Sequence, residues 1–190
     1  DKYKVPKIAF INKLDRVGAD FFGTVEQMKT RLHARPLLLQ IPSGVEDRFA
    51  GVIDLVGMQR IARDDDSLGA AFTCEPLAGR EQEDALVYRD QLLETLAEVD
   101  DGIMEAYLAE QPVAAEAIRA AVRNATVELK LVPVLCGSAL KNKGIQPLLD
   151  AVVSYLPSPL DVPPIKGKHP ESGEAVICPS EDKAPLAALI

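Results

Sequence analysis

Cysteine and histidine are scarce in this 190-residue chain: three Cys and two His in all. Cys74, Cys136 and Cys178 lie far apart, form no CxxC pair and have only His33 and His169 to assist, so neither a zinc site nor a disulfide framework is supported. A reducing cytoplasm fits that usage. Basic residues are outnumbered, 21 Lys plus Arg against 29 Asp plus Glu, and the net charge of -8 argues against a protein that coats nucleic acid by neutralising phosphates. No apolar run approaches the ~18 residues of a membrane span. No GxxxxGKS or GxxxxGKT string occurs, so the chain brings no Gly-rich loop to cradle phosphates and no loop hydroxyl for Mg²⁺.

What is present suits a soluble globular chain of one or two domains: 47% hydrophobic and 26% charged residues. It opens on Asp1 without an initiator Met and stops within a strand-like Ala187-Ala188-Leu189-Ile190, so it is expected to be a piece of a longer polypeptide. Residues 7–11 are a short apolar run of the kind found in buried parallel strands, and a helix is predicted over 22–33 with Val25, Met28 and Leu32 on one face. Strands are predicted at 37–41 and 51–56, with Pro42-Ser43-Gly44 as turn chemistry and a polar turn at 64–69. A long amphipathic helix is predicted over 80–101, its apolar side carrying Leu86, Leu92, Leu93, Leu96 and Ala97. Further helices are predicted over 101–109 and 113–128, the latter burying Ile118, Ala121, Val122 and Ala125. Residues 131–136 read as a second buried strand, with Pro133 speaking against it because proline donates nothing to a ladder. A helix carrying Ile145, Leu148, Leu149, Val152 and Leu156 ends before Pro157. Half of the fourteen prolines then fall between 157 and 185, as in an extended interdomain linker.

Two polar segments follow the two buried strands: Asn12-Lys13-Leu14-Asp15, and Ser138-Ala139-Leu140 after Gly137. Ligands of open α/β sheets sit outside the carboxyl ends of the strands, where two such loops can converge. Guanine asks for that kind of pocket, because its N1 and N2 are adjacent donors that one ionised carboxylate accepts together; adenine lacks the pair. Asp15 is the candidate carboxylate. Asn12 would hold the loop and reach N7, the Lys13 stem would lie over the base, the Ala139 N–H would donate to O6, and the Ser138 hydroxyl would buttress the loop. A plainer reading also stands at this point, in which Asn12 and Asp15 cap a turn and Ser138 caps a helix.

NKLDR followed by GADFF, and later PVLCGSALKNKGIQPLLDAVVSYLPSPLDVP, resemble bacterial-type translation elongation factor G, a translational GTPase. The resemblance implies an α/β fold: a partial P-loop-type GTPase domain of parallel strands with helices, interrupted by an α+β insertion subdomain. Residues 1–34 would be a GTPase-domain segment, 35–129 the insertion, 130–157 the last strand and helix of the GTPase domain, and 158–190 a linker and the first strand of a β-barrel domain. It also implies that Asn12, Lys13 and Asp15 form the base-specificity loop and Ser138, Ala139 and Leu140 the second guanine loop, with GTP or GDP as ligand and the ribosome as partner. Mg²⁺ would be held by parent residues absent from this sequence. No catalytic or metal-ligating residue is therefore assigned, and the DxxG strings at 15–18, 20–23 and 54–57 are taken as chance. Release factor three is the nearest rival family, and a non-catalytic ribosome-docking module is the competing non-enzyme reading.

The acidity is localised: residues 80–128 hold twelve acids and four bases. Glu83, Asp90, Glu94, Glu98 and Asp101 fall on one side of the long predicted helix, either as a solvated face or as a docking face for a basic partner. The resemblance adds the stalk protein of the large ribosomal subunit as that partner. His33 is expected to interact with carbonyls at a helix end and Cys136 to be a core residue. Strands at 7–11 and 131–136 are expected to expose edges or faces and to promote dimerisation in a crystal.

Overall fold

The structure is a computed structural model that describes residues 3–63, 72–161, 163–169 and 172–180. The expected polar turn at 64–69 and the strand-like end at 187–190 lie outside the described residues. The chain divides into two units, Asp1–Leu156 and Pro157–Ile190.

In the first unit, β1 (Ala9–Ile11) leads through the first polar loop to α1 (Phe21–Leu32). Asp20 caps that helix, its carboxylate accepting the Gly23 N–H at 2.8 Å, and Phe21, Val25 and Met28 are buried. Leu32, expected to share that face, is the last helical residue and is 72% exposed, where the chain turns away from the core. His33 ends the helix in a left-handed conformation at φ 50°, and its backbone N–H returns to the Met28 carbonyl.

Residues 37–41, expected to form one strand, belong to two. β2 (Pro36–Leu38) pairs in parallel with β7 (Val132–Cys136), whereas β3 (Gln40–Ser43) pairs antiparallel with β4 (Gly51–Asp54). Leu39 is the seam. Its N–H donates to the Val134 carbonyl at 3.0 Å and its carbonyl accepts the Leu55 N–H at 3.0 Å, so one residue serves both sheets and leaves no backbone group orphaned. Where the backbone has turned away, buried Gln40 substitutes a side chain, and its Oε1 accepts the Cys136 N–H at 3.4 Å.

The parallel sheet has the order β1-β7-β2. Pro133 is tolerated in its central strand because of alternation: the Val132 N–H points to Arg35, on the β2 side, and the Gly137 N–H to Ile11, on the β1 side. Position 133 thus lacks a donor toward β1, before that ladder begins at Ala9 opposite Val134. The expectation of an exposed strand at 131–136 is overturned, since β7 is paired on both sides and Val134, Leu135 and Cys136 are buried. β1 lies at the sheet's edge. Burial pushes the Cys136 thiol pKa far up, as expected of a core residue.

The antiparallel sheet continues from β4 to β5 (Gln59–Arg63) and β6 (Phe72–Pro76). After it come α2 (Gly79–Ala97), α3 (Asp101–Leu108) and α4 (Ala115–Val127). The buried side of α2 is Ala85, Leu92, Leu96 and Ala97; Leu86, expected there, is 54% exposed because the helix is turned so that the smaller Ala85 meets the core. Arg89 anchors α2 by donating to the carbonyls of Leu55 at 2.6 Å, Val56 at 2.7 Å and Val113 at 3.3 Å. The four expected apolar residues of α4 are all buried. α5 (Ile145–Tyr155) buries Ala151 and Tyr155 instead of the expected Leu149 and Val152, which are exposed. Those two buried positions are four residues apart and so share a face.

The second unit holds a hairpin of β8 (Ile165–Lys168) and β9 (Ala175–Cys178), in the stretch expected to be a linker and the first strand of a β-barrel domain. The His169 N–H to the Glu174 carbonyl, at 2.9 Å, continues its ladder.

Candidate functional site

Parallel pairing sets Ile11 opposite Cys136, so the segments that follow β1 and β7 leave the sheet side by side. The Gly137 N–H donates to the Ile11 carbonyl at 3.0 Å, and the Leu14 N–H returns to the Gly137 carbonyl at 3.2 Å. Glycine is required at 137, because a Cβ there would lie 2.3 Å from the Lys143 carbonyl oxygen. That crowding reflects a tight turn in which Ser138 and Lys143 exchange backbone hydrogen bonds at 2.9 and 3.0 Å.

The two loops are joined by side chains. Asn12 Oδ1 accepts the Ala139 N–H at 2.9 Å and the Lys13 N–H at 2.8 Å, the latter with Lys13 at φ 67°. The Ser138 hydroxyl accepts the Lys141 N–H at 3.3 Å and lies close enough to the Asp15 carboxylate to stabilise its anion. Ser138 is fully buried and Leu14 nearly so, which fixes both loops from beneath. The Ser138 hydroxyl is the main cause of a lowered Asp15 pKa; some desolvation opposes it, and the Asp15 N–H, Lys141 and Arg16 assist. Asp15 is therefore held as an anion.

Asn12, expected to hold the loop and reach N7, and the Ala139 N–H, expected to donate to O6, are bonded to each other. Lys13, Ala139 and Leu140 are exposed, Leu140 at 81%. A concavity of about 290 Å³ is lined by Asn12, Lys13, Arg16, Gly18 and Asp20, and residues 138–140 do not line it. Asp15 does not line it either, so the two loops are joined by the Asn12–Ala139 bond and not by a common concavity. Sequence reasoning missed three contributors at this end of the sheet, Glu46, Phe49 and Lys143; the only signal was the Asn142-Lys143-Gly144 turn, with φ 52° at Asn142 and 78° at Gly144.

The five acids do not form one helical stripe. Glu83, Asp90 and Glu94 are exposed on α2, and Asp90 accepts a hydrogen bond from the Tyr107 hydroxyl at 3.3 Å. Glu98 lies just past the helix and pairs with Arg35 at 2.5 Å, and Asp101 starts α3. Among the described residues no group of three His, Cys, Asp or Glu converges as a metal site, and none is assigned to Mg²⁺.

Paired loops at the carboxyl ends of a parallel sheet, with an antiparallel sheet and helices inserted between them, make a mixed α/β fold. Residues 1–158 match the elongation factor Tu GTP binding domain, and the chain belongs to that family. It is 52% identical over 189 residues to "Elongation factor G 2" of Syntrophus aciditrophicus (strain SB), a match that covers the whole chain and 28% of that protein. A crystal structure of a Thermus thermophilus protein superposes with a TM-score of 0.72 at 25% identity, over 93% of this chain and 27% of the other. The chain therefore spans little more than a quarter of these relatives. Among its described residues, no helix is long and apolar enough to cross a membrane.

Proposed function

We propose that this chain is the guanine-base-binding and ribosome-docking part of an elongation factor G-like GTPase, whose parent hydrolyses GTP to drive translocation on the ribosome in the cytoplasm. The observation that carries the reading is the bond between the loops, Ala139 N–H to Asn12 Oδ1, beside an Asp15 whose pKa the neighbouring Ser138 hydroxyl lowers. A carboxylate kept ionised beside a buried hydroxyl accepts guanine N1–H and N2–H together. Two hydrogen bonds to a charged group, at about 1.5–3 kcal/mol each, discriminate against adenine by about a hundredfold or more. Asn12 Nδ2, not engaged through its Oδ1 bonds, serves N7. The Ala139 N–H, shared with Asn12 Oδ1, donates to guanine O6, the Lys13 stem covers the base, and Leu140 closes the rim.

Glu83, Asp90 and Glu94, with Glu98 and Asp101 beside them, form the acidic face that steers lysines of the large-subunit stalk protein. Self-association through exposed strands now rests on the β1 edge alone. Phosphate-binding and Mg²⁺-binding motifs are not among these residues, so the chain by itself binds the base and does not turn over GTP.

Titration of the chain with fluorescent GDP and ADP tests the reading. A GDP preference that vanishes in Asp15→Ala supports it, and equal binding of the two nucleotides removes it.

A further inference from the structure

The two loops are also held from the inserted sheet. The turn between β3 and β4 is tight: Gly44 sits at φ 81°, where a Cβ would lie 2.1 Å from the Arg48 carbonyl oxygen, and the Ala50 N–H closes on the Ser43 carbonyl at 2.8 Å. Within it, Glu46 adopts φ 51°, a left-handed conformation unfavourable for a residue with a Cβ, and its Oε1 accepts the Gly18 N–H at 2.8 Å. Three residues on, Phe49 is 2% exposed and belongs to the core. The Lys143 ammonium donates to the Phe49 carbonyl at 2.6 Å and sits 5.8 Å from the centre of the Phe49 ring. The backbone of the same lysine makes both hydrogen bonds to Ser138.

One side chain thus ties the loop that carries Ser138 and Ala139 to a buried anchor in the insertion, and Glu46 ties the loop that carries Asp15 to the same turn. We propose that Lys143, braced on Phe49, is a positioning residue for guanine recognition, which sets the place of Ser138 and Ala139 beside the first loop, with Glu46 bracing that loop in parallel. The inference rests on the guanine reading above and adds that the insertion's β3–β4 turn governs base affinity without touching the base. A long charged side chain used this way is not replaceable by its stem alone, because the bond to Phe49 is made by the ammonium.

The test uses the whole chain carrying Lys143→Met, Lys143→Arg or Glu46→Ala. Amide hydrogen exchange is read without nucleotide, and the GDP and ADP dissociation constants are read separately. Lys143→Met is expected to speed exchange at Ser138 and Ala139 at least fivefold while β4 and β5 amides keep their protection, and to weaken GDP at least fivefold more than ADP. Lys143→Arg is expected to restore both. Unchanged exchange at 138 and 139 in a folded Lys143→Met protein overturns the brace, and faster exchange with unchanged GDP affinity overturns its role in recognition. Should Lys143→Met not fold, Glu46→Ala carries the test, with exchange at Gly18 and the same GDP-to-ADP ratio as readouts. A parent chain that does not distinguish GDP from ADP defeats the guanine reading, and the exchange data then judge the brace alone.

Discussion

Asn12 Oδ1 accepts the backbone N–H of Ala139 at 2.9 Å across 127 residues of sequence. The bond crosses the whole insertion and makes one rim of two loops. Asn12→Ala removes the acceptor for both Ala139 and Lys13, at a cost of about 0.5–1.5 kcal/mol for each bond. GDP affinity in an equilibrium titration should fall more than tenfold, with only a small drop in the thermal midpoint.

Asp15→Asn exchanges one acceptor oxygen for an NH₂ donor. Guanine binding should weaken about a hundredfold. Xanthine carries a carbonyl where guanine carries its N2 amine, so the variant should gain affinity for xanthosine diphosphate, measured by competition against the fluorescent GDP probe.

The pH dependence follows from the lowered Asp15 pKa. A carboxylate whose folded pKa is depressed contributes stability that is present above its unfolded pKa and is lost as pH falls through the folded value. GDP affinity should stay level from about pH 8 to about pH 5 and decline only below the ordinary carboxylate range. Ser138→Ala removes the largest cause of the shift, so an NMR titration of Asp15 should show its pKa rising and the decline should begin at higher pH.

Arg89 donates to three carbonyls at the junction of β4, α2 and α4. Arg89→Met keeps much of the stem and deletes every donor, leaving acceptors short of partners at about 1–3 kcal/mol. The urea midpoint should fall accordingly, while the GDP-to-ADP ratio, set at the far loops, should not change.

Charge reversal separates docking from folding on the acidic face. Glu83→Lys with Glu94→Lys should weaken binding to a lysine-rich partner in a salt-dependent manner and leave stability within about 0.5 kcal/mol. Glu98→Lys breaks the pair with Arg35 and should lower the thermal midpoint as well. Equal binding by the doubly reversed protein at low salt would remove the docking assignment.

The parts of the fold most legible in the sequence were those with strong periodicity or strong end signals. Ile118, Ala121, Val122 and Ala125 announced α4, and apolar runs announced β1 and β7. The division at Leu39 was not legible, because an uninterrupted run of leucines satisfies a strand in either sheet and only hydrogen-bond direction separates them. Leu86 and Leu149 misled for a related reason: hydrophobic periodicity names a face of about 100° but not which edge of it a neighbouring element covers. At the site, residue types pointed to Asn12, Asp15 and Ser138, and the structure bonds Asn12 to Ala139 across the two loops. The Glu46 and Lys143 contacts depend on a turn packed from a distant element, and no local pattern encodes them.

The order β1-β7-β2 also bears on how the domain is made. The strand that joins the other two is the last of the three to be synthesised, roughly a hundred residues after β2. At ~5–20 residues per second, β1 and β2 wait about 5–20 s for their shared neighbour. The antiparallel sheet and α2 to α4 emerge during that interval, and the strands of that sheet pair in chain order, each with its sequence neighbour. The insertion can therefore mature first, and the rim formed by Asn12 and Ala139 is completed only when Cys136 and the residues after it arrive.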